Sequence, residues 1–143
     1  MENNIRVDIS NNSDMVDLLL RHKFHTMTHE DRLSIKQIAI PRPSMGNLIQ
    51  SKSGHNRSFV NTWYDKAVWI TGSETRNKLF CWYCLLFSEK SGPWTTVGYH
   101  NLKDLSRATL KHENSKEHTY SALKFKLFEN KVLLICQAVR VNP

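Results

Sequence analysis

Apolar residues recur at helical spacing near both ends of the chain. Ser13 is a candidate N-cap for a helix through about Lys23, with an apolar face of Val16, Leu19, Leu20 and Phe24. Thr28, with Asp31 three residues later, resembles a capping box and predicts the start of a second helix. Near the other end, a third predicted helix has one face formed by Leu102, Leu105, Thr109 and His112. A fourth runs from about Ser115 toward Lys131, with a predicted buried stripe of Tyr120, Leu123 and Leu127.

The middle of the chain has a different pattern, in which nine large aromatic rings fall between Phe59 and Trp94. So many rings need a core to bury them. Residues 67–71 and 78–82 are short strand candidates, and turn-forming residues between them predict a β-hairpin. The fold class predicted from these elements is α+β.

A Pro-rich segment divides the helical start from the aromatic middle. Pro41-Arg42-Pro43 favours extended backbone, and residues 44–57 resemble a basic, flexible loop. Such a loop is either simply solvated, which we favour, or follows a phosphate backbone. The resulting division is a helical lead-in at 1–40, a connector at 41–57, a central module at 58–122 and a C-terminal helix and tail at 123–143.

Composition and charge narrow the classes of protein. The 143 residues, 40% hydrophobic and 23% charged, suit one globular domain with a modest core. The net charge of +7 is uneven, since residues 1–35 carry −2 and residues 36–143 carry +9, and a basic module favours polyanionic partners. The longest apolar run, Val132 to Cys136, is too short to span a membrane, and the acidic start does not resemble a signal peptide. We therefore expect a soluble, unsecreted protein.

The strongest chemical signal is a set of four metal-binding residues, Cys81-x2-Cys84 and His112-x5-His118. Two thiolates and two imidazoles form a common closed tetrahedral zinc set, and a tight turn at the end of the hairpin would direct both sulfurs at one ion. The alternative is a coincidence in which the thiols pack as small hydrophobic groups. Cys136 is expected to pack in the apolar run rather than bind metal.

The two histidines need a break between them. On one continuous helix they would lie about 240° apart and about 9 Å along the axis, so they could not share an ion. Asn114 and Ser115 favour a turn and a new N-cap, and the sequence therefore predicts an interrupted helix. His22, His25 and His29 also cluster, but no carboxylate or thiol at matching spacing supports a metal site there, so we expect solvated histidines.

Catalysis is the least supported class. Four protein ligands leave no position for an activated water, and the sequence contains no phosphate-binding glycine loop and no nucleophile elbow. We expect a structural Zn²⁺, no enzyme activity and no small-molecule substrate.

A basic helix face indicates the partner. Lys103, Arg107 and Lys111 recur every four residues, about 200° from the zinc-facing stripe. Small zinc modules present such faces to DNA, so DNA is the predicted partner. The alternative is a solvated face paired within the helix to Asp104 and Glu113.

Taken together, these motifs resemble the TTF-type zinc finger of hAT-family transposase-derived proteins, the zinc finger MYM-type protein 1-like group. The resemblance spans about residues 28–122 and is carried by Trp63-Tyr64, Trp69, Leu79 to Phe87, Trp94, Leu102 to Leu105, Lys111-His112-Glu113, Ser115 and His118. It implies that Cys81, Cys84, His112 and His118 hold zinc in a nuclear, DNA-binding module.

Members of that group usually continue into a catalytic transposase domain, whereas this sequence stops at Pro143, so transposase activity is not expected. A different class of function is also open. The aromatic and Leu-rich surface, with residues 120–134 as a pairing helix, could instead dock a protein partner or a second copy of the chain.

Overall fold

The structure, a computed structural model, describes residues 13–52 and 55–141, without the side chains of 51–55 and 129–141. This part of the chain contains six α-helices and four strands. They are α1 (Met15–Arg21), α2 (His29–Gln37), β1 (Ile49–Lys52), β2 (His55–Ser58), α3 (Trp63–Lys66), β3 (Ile70–Ser73), β4 (Lys78–Cys81), α4 (Trp82–Phe87), α5 (Leu105–Glu113) and α6 (Lys116–Val141). The strands form two antiparallel hairpins, so the predicted α+β class is confirmed.

The two N-terminal helices form close to where the sequence predicts them. Asp14, and not Ser13, caps α1, because its Oδ1 accepts a hydrogen bond from the Asp17 N–H at 3.0 Å. Helix α1 ends at Arg21, and Phe24 follows it in a separate 3₁₀ turn. The cap predicted for α2 is confirmed, since Thr28 Oγ1 accepts from the Asp31 N–H at 3.2 Å.

The predicted loop at 44–57 is wrong for its second half, because β1 and β2 pair there from Ile49↔Ser58 to Lys52↔His55. The segment lacks the alternation of apolar residues that indicates strands, so sequence pattern alone could not find it. Buried residues anchor both ends of the hairpin instead: Leu48 and Phe59 flank it, and the Phe59 N–H donates to the Leu48 carbonyl at 3.2 Å.

The Pro-rich segment is fastened to the central module. Thr71 Oγ1 donates to the Pro41 carbonyl at 2.8 Å, and the Tyr64 hydroxyl donates to the Pro43 carbonyl at 2.5 Å. The guanidinium of Arg42 contacts the Asp65 carboxylate at 3.0 Å. The predicted segment boundaries are not tested by this packing, but residues 41–43 are part of the folded body.

Strand β4 lies between two hydrophobic clusters. Successive side chains of a strand point to opposite faces, so Leu79 and Cys81 face one cluster while Phe80 and Trp82 face the other. The first cluster contains the metal-binding cysteines and their aromatic neighbours. The second contains Val16, Leu19, Phe24, Met27 and Ile35 of the N-terminal helices. The helical lead-in thus shares a core with the β3–β4 hairpin. The predicted hairpin is confirmed, but its first strand runs over Ile70–Ser73 and not over residues 67–71.

A short segment after Gly98 pairs with the open edge of β4. Leu79 and Tyr99 exchange two backbone hydrogen bonds of 2.8 Å. Gly98 has a φ of +91°, and a Cβ atom there would lie 2.6 Å from Lys78 Cβ. This position therefore requires glycine.

Helix α6 buries a different face from the one predicted. Its predicted buried stripe is wrong: Tyr120, Leu123 and Leu127 are 61%, 52% and 51% exposed. The inward face instead carries the buried residues His118 and Ser121, and Phe125 and Phe128 pack against the second cluster. These four recur at i, i+3, i+7 and i+10, so a helical stripe exists, on a different face.

Candidate metal centre

Four side chains meet at the first cluster, one each from β4, α4, α5 and α6. One ligand atom from each of Cys81, Cys84, His112 and His118 lies within 4.8 Å of the other three. The cysteines and His118 are buried and His112 is partly buried. No other grouping of three or more His, Cys, Asp or Glu residues with metal-site spacing occurs among the described residues.

The two cysteines are held by a strand and a helix. Cys81 is the last residue of β4, and Cys84 lies in the first turn of α4, which begins at Trp82. The predicted arrangement, with both sulfurs on a tight turn at the hairpin end, is therefore wrong in detail. The helical turn has the same effect, because a residue three positions after the strand end comes back over that end.

The two histidines are separated by the predicted break, which is confirmed. Helix α5 ends at Glu113, and α6 begins at Lys116. Ser115 joins the two helices: its hydroxyl donates to the His112 carbonyl at 2.6 Å and accepts from the His118 N–H at 3.2 Å. The break rotates the second helix so that both imidazoles face the cysteines.

The donor set and its spacing fit zinc. Cys81 Sγ lies 3.4 Å from His118 Nδ1, and Cys84 Sγ lies 3.5 Å from His112 Nε2. In a tetrahedral site with Zn–S near 2.3 Å and Zn–N near 2.0–2.1 Å, sulfur and nitrogen stand about 3.5 Å apart. Both sulfur–nitrogen distances match that spacing, and all four ligand atoms lie within 4.8 Å of one another, so the geometry supports zinc binding by the module.

The electrostatics of the cysteine pair agree with cation binding. Burial raises the pKa of the Cys81 thiol, and its hydrogen bond to Cys84 raises that pKa further. The same hydrogen bond, together with those from the two histidines and Ser121, lowers the pKa of the Cys84 thiol. Two buried thiolates this close would repel each other. A divalent cation between the sulfurs would remove that repulsion and favour loss of the thiol protons.

An aromatic wall surrounds the site. The Trp69 ring centroid lies 4.9 Å from that of His112 and 5.1 Å from that of His118. Trp94 crosses Trp69 edge-on at 5.0 Å and stacks on Tyr99 at 4.6 Å. The rings fix the imidazole orientations and shield one side of the site from water.

Sequence reasoning missed three supporting residues. Trp69 Nε1 donates to Glu113 Oε1 at 2.9 Å, which ties the start of β3 to the end of α5. The buried hydroxyl of Ser121 lies close to Cys84 and lowers the pKa of that thiol. A signal for Ser121 existed, because it lies three residues after His118 and must share the inward face of the helix.

The remaining predicted residues lie apart from this site. His25 and His29 are exposed and His22 is partly exposed, and none belongs to the metal-site grouping. The side chain of Cys136 lies outside the described residues. Lys103, Arg107 and Lys111 are exposed, with Lys103 in the turn before α5 and the other two on α5.

A cavity of about 490 Å³ opens beside the metal-binding residues. Cys84 and His112 form part of its wall, and Trp94, Tyr99 and Lys111 also line it. Trp69 thus covers one side of the site, and the cavity, whose wall includes Trp94 and Tyr99, opens onto Cys84 and His112.

Comparisons with known proteins agree with a zinc module. The chain is 30% identical over 106 residues to zinc finger MYM-type protein 5 of Homo sapiens and to the protein of the same name in Macaca fascicularis. Each match covers 64% of this chain and 16% of the relative, so the chain spans about a sixth of the relatives' length.

No family model and no solved structure matches the chain. None of the described helices is both long and apolar enough to cross a membrane. The similarity and the Cys/His cluster together support a relationship to MYM-type zinc finger proteins.

Proposed function

We propose that the chain is a zinc-stabilised DNA-binding module in which Cys81, Cys84, His112 and His118 hold the ion. The close approach of the four ligand atoms is the observation that carries the zinc assignment. Bound zinc would join the β3–β4 hairpin to α5 and α6, and so would supply folding energy to a small core. Because all four positions would be filled by protein, we infer a structural ion and no enzyme activity.

The DNA assignment is carried by three exposed basic side chains on α5 and in the turn before it, which we call the α5 face. Lys103, Arg107 and Lys111 form no ion pair with a described residue. The carboxylates that could neutralise them have other contacts: Asp104 accepts from Asn101 Nδ2 at 3.1 Å, and Glu113 accepts from Trp69. These contacts argue against a face paired within the helix. The unpaired charges favour binding to a phosphate backbone, with a nuclear location for the module.

Fluorescence anisotropy of a labelled random DNA duplex tests this proposal. We expect the zinc-loaded chain to bind with an affinity that falls steeply between 50 and ~200 mM salt. Chelation of the metal should abolish binding. Replacing Arg107 and Lys111 together by Ala should weaken binding and reduce the slope of log affinity against log salt by about two. Lys66→Ala, at an exposed lysine of α3, is the control. Unchanged affinity and salt slope in the double variant would show that α5 is not the contact surface.

The relation to TTF-type fingers of hAT-derived proteins is also part of this proposal. It rests on the matching aromatic, Cys and His motifs of the sequence. A sequence-selection experiment with random DNA would show whether the module prefers a defined site.

A second candidate function is protein association. The exposed residues Tyr120, Leu123 and Leu127 form an apolar stripe along α6. Such stripes mark docking surfaces for helices. Light scattering across a concentration series tests it, and a monomer at every concentration would remove self-association.

A further inference from the structure

A second cleft, of about 500 Å³, shares Cys84, Ser88, Lys90 and Thr95 with the cavity beside the metal site. Its walls come from α1 and the turn after it, from α2, from α4 and from α6. Three rings in mutual contact line its apolar part, with centroid distances of 5.4 Å for Phe24–Phe87, 6.0 Å for Phe24–Phe128 and 5.9 Å for Phe87–Phe128.

The polar part of this cleft is cationic. Five basic residues line it: Lys23, His25, Arg32, Lys90 and Lys124. Its one acidic residue is the exposed Glu89. Two of them have partners, since Lys90 Nζ lies 2.7 Å from Glu117 Oε1 and Lys124 Nζ lies over the Tyr120 ring. Lys23 has no side-chain partner among the described residues. The cleft therefore carries uncompensated positive charge.

Arg32 is the most informative residue of the cleft. Its Nε is buried from solvent and donates to no acceptor among the described residues. A buried guanidinium nitrogen without an acceptor is costly, and such atoms are rare in folded proteins. The two terminal guanidinium nitrogens are neither buried nor hydrogen-bonded among the described residues, so they are the atoms of Arg32 that an anion in the cleft would meet.

The chemistry of the cleft favours phosphate as that anion. The guanidinium presents its donors as a planar fork that matches two oxygens of a phosphate, and the lysines add point charges around it. The position of the cleft indicates that this phosphate belongs to a nucleic-acid backbone that also contacts α5. Lys90 and Thr95 line both cavities, and Lys111 of the α5 face lines the first. One nucleic-acid strand could thus cross from α5, past Lys90, to Arg32.

We propose that this cleft is a second phosphate-contact site for the DNA backbone, with Arg32 and Lys23 as its binding residues. The inference rests on the proposed DNA-binding function and extends the contact surface from α5 to the N-terminal helices.

The test uses the full zinc-loaded chain and the anisotropy titration described above. Arg32→Gln and Lys23→Gln should each weaken DNA binding about three- to tenfold and reduce the slope of log affinity against log salt by about one. Glu89→Gln, which removes the acidic residue of the cleft, should tighten binding. Lys66→Gln removes the same charge from α3 and serves as the control. Lys23 is exposed, so its variant keeps the test valid even if the Arg32 variant folds poorly.

NMR detection of the Arg32 Nε–H signal gives an independent readout. We expect the DNA duplex to shift this signal, and inorganic pyrophosphate to shift it at higher concentration. If DNA binds and the α5 variants weaken it while the Arg32 and Lys23 variants do not, the cleft proposal is overturned and the proposed function stands. If the unmodified chain binds no DNA, both fail. If pyrophosphate shifts the signal and the DNA duplex does not, the cleft binds a phosphate from another source. The assignment of the cleft to DNA is then overturned.

Discussion

The indole Nε1 of Trp69 donates a hydrogen bond to Glu113 Oε1 across 2.9 Å, between residues that are 44 positions apart. Trp69 is buried beside both imidazoles of the candidate site, and Glu113 directly follows His112. This contact fixes the end of α5 against the hairpin. It positions His112 by a route that does not involve the metal.

Removing the acceptor of this bond should loosen α5. Glu113→Ala should lower the free energy of unfolding by about 1 kcal/mol, because the buried indole N–H loses its partner. Glu113→Gln retains an acceptor and should cost less. Urea unfolding followed by tryptophan fluorescence measures both, and equal losses in the two variants would contradict the assigned bond.

Removal of zinc should unfold the site. Structural zinc ions in small fingers contribute roughly 10–16 kcal/mol of apparent binding energy at neutral pH, so chelation or Cys84→Ser should abolish cooperative unfolding. Cobalt substitution should give the absorption bands of a tetrahedral thiolate site and quench the fluorescence of adjacent Trp69. His100→Ala, at an exposed position, is the control. Retention of full stability after chelation would exclude a structural ion.

The hydroxyl of Ser115 should matter for both stability and metal affinity. Ser115→Ala removes the N-cap of α6 and the bond to the His112 carbonyl, and we expect a loss of about 1 kcal/mol. Because the cap sets the position of His118, cobalt affinity should fall as well. Ser106→Ala, exposed on α5, should change neither quantity. An unaltered cobalt affinity in the Ser115 variant would show that the helix break forms without this cap.

Gly98→Ala should destabilise the pairing of Tyr99 with β4. The backbone φ of +91° disfavours any side chain, and the new Cβ would collide with Lys78 Cβ. We expect a loss of about 1–3 kcal/mol in thermal unfolding. Gly46→Ala is a matched control, since a Cβ atom at that position would meet no residue beyond its chain neighbours within 4 Å. Similar melting temperatures for the two variants would rule out the strain.

Asp14 should make the free energy of unfolding decrease as the pH falls into the acid range. Partial burial raises the pKa of this carboxyl, but hydrogen bonds from Thr75, Ser73 and the Asp17 N–H outweigh burial and lower it below 3.8. The folded state therefore binds the proton less tightly than the unfolded state. The contribution of Asp14 is present above about pH 4 and is lost as the pH falls through the lowered value.

Comparison with Asp14→Asn isolates this effect. The variant should be less stable at pH 7, and the difference from the unmodified chain should shrink toward pH 2. Asp65→Asn, at an exposed ion pair, should show little of this trend. A constant difference from pH 7 to pH 2 would contradict the lowered pKa.

Local sequence patterns determined several parts of this structure. The Thr28 cap, the β3–β4 hairpin and the break at Asn114-Ser115 depend on interactions between residues close in the chain, so they could be read directly. The spacing of Cys81, Cys84, His112 and His118 likewise predicted that the four would meet. Their role as zinc ligands remains a proposal.

Tertiary packing decided the rest. Periodicity shows which residues of α6 share a face, but two apolar stripes compete there, and the inward position of His118 selects the one with Phe125 and Phe128. The β1–β2 hairpin has no strand pattern and forms between two buried anchors, Leu48 and Phe59. Burial of both faces of β4 depends on α1 and α2 returning to cover it. These features arise from contacts between residues distant in the chain, and no local pattern encodes them.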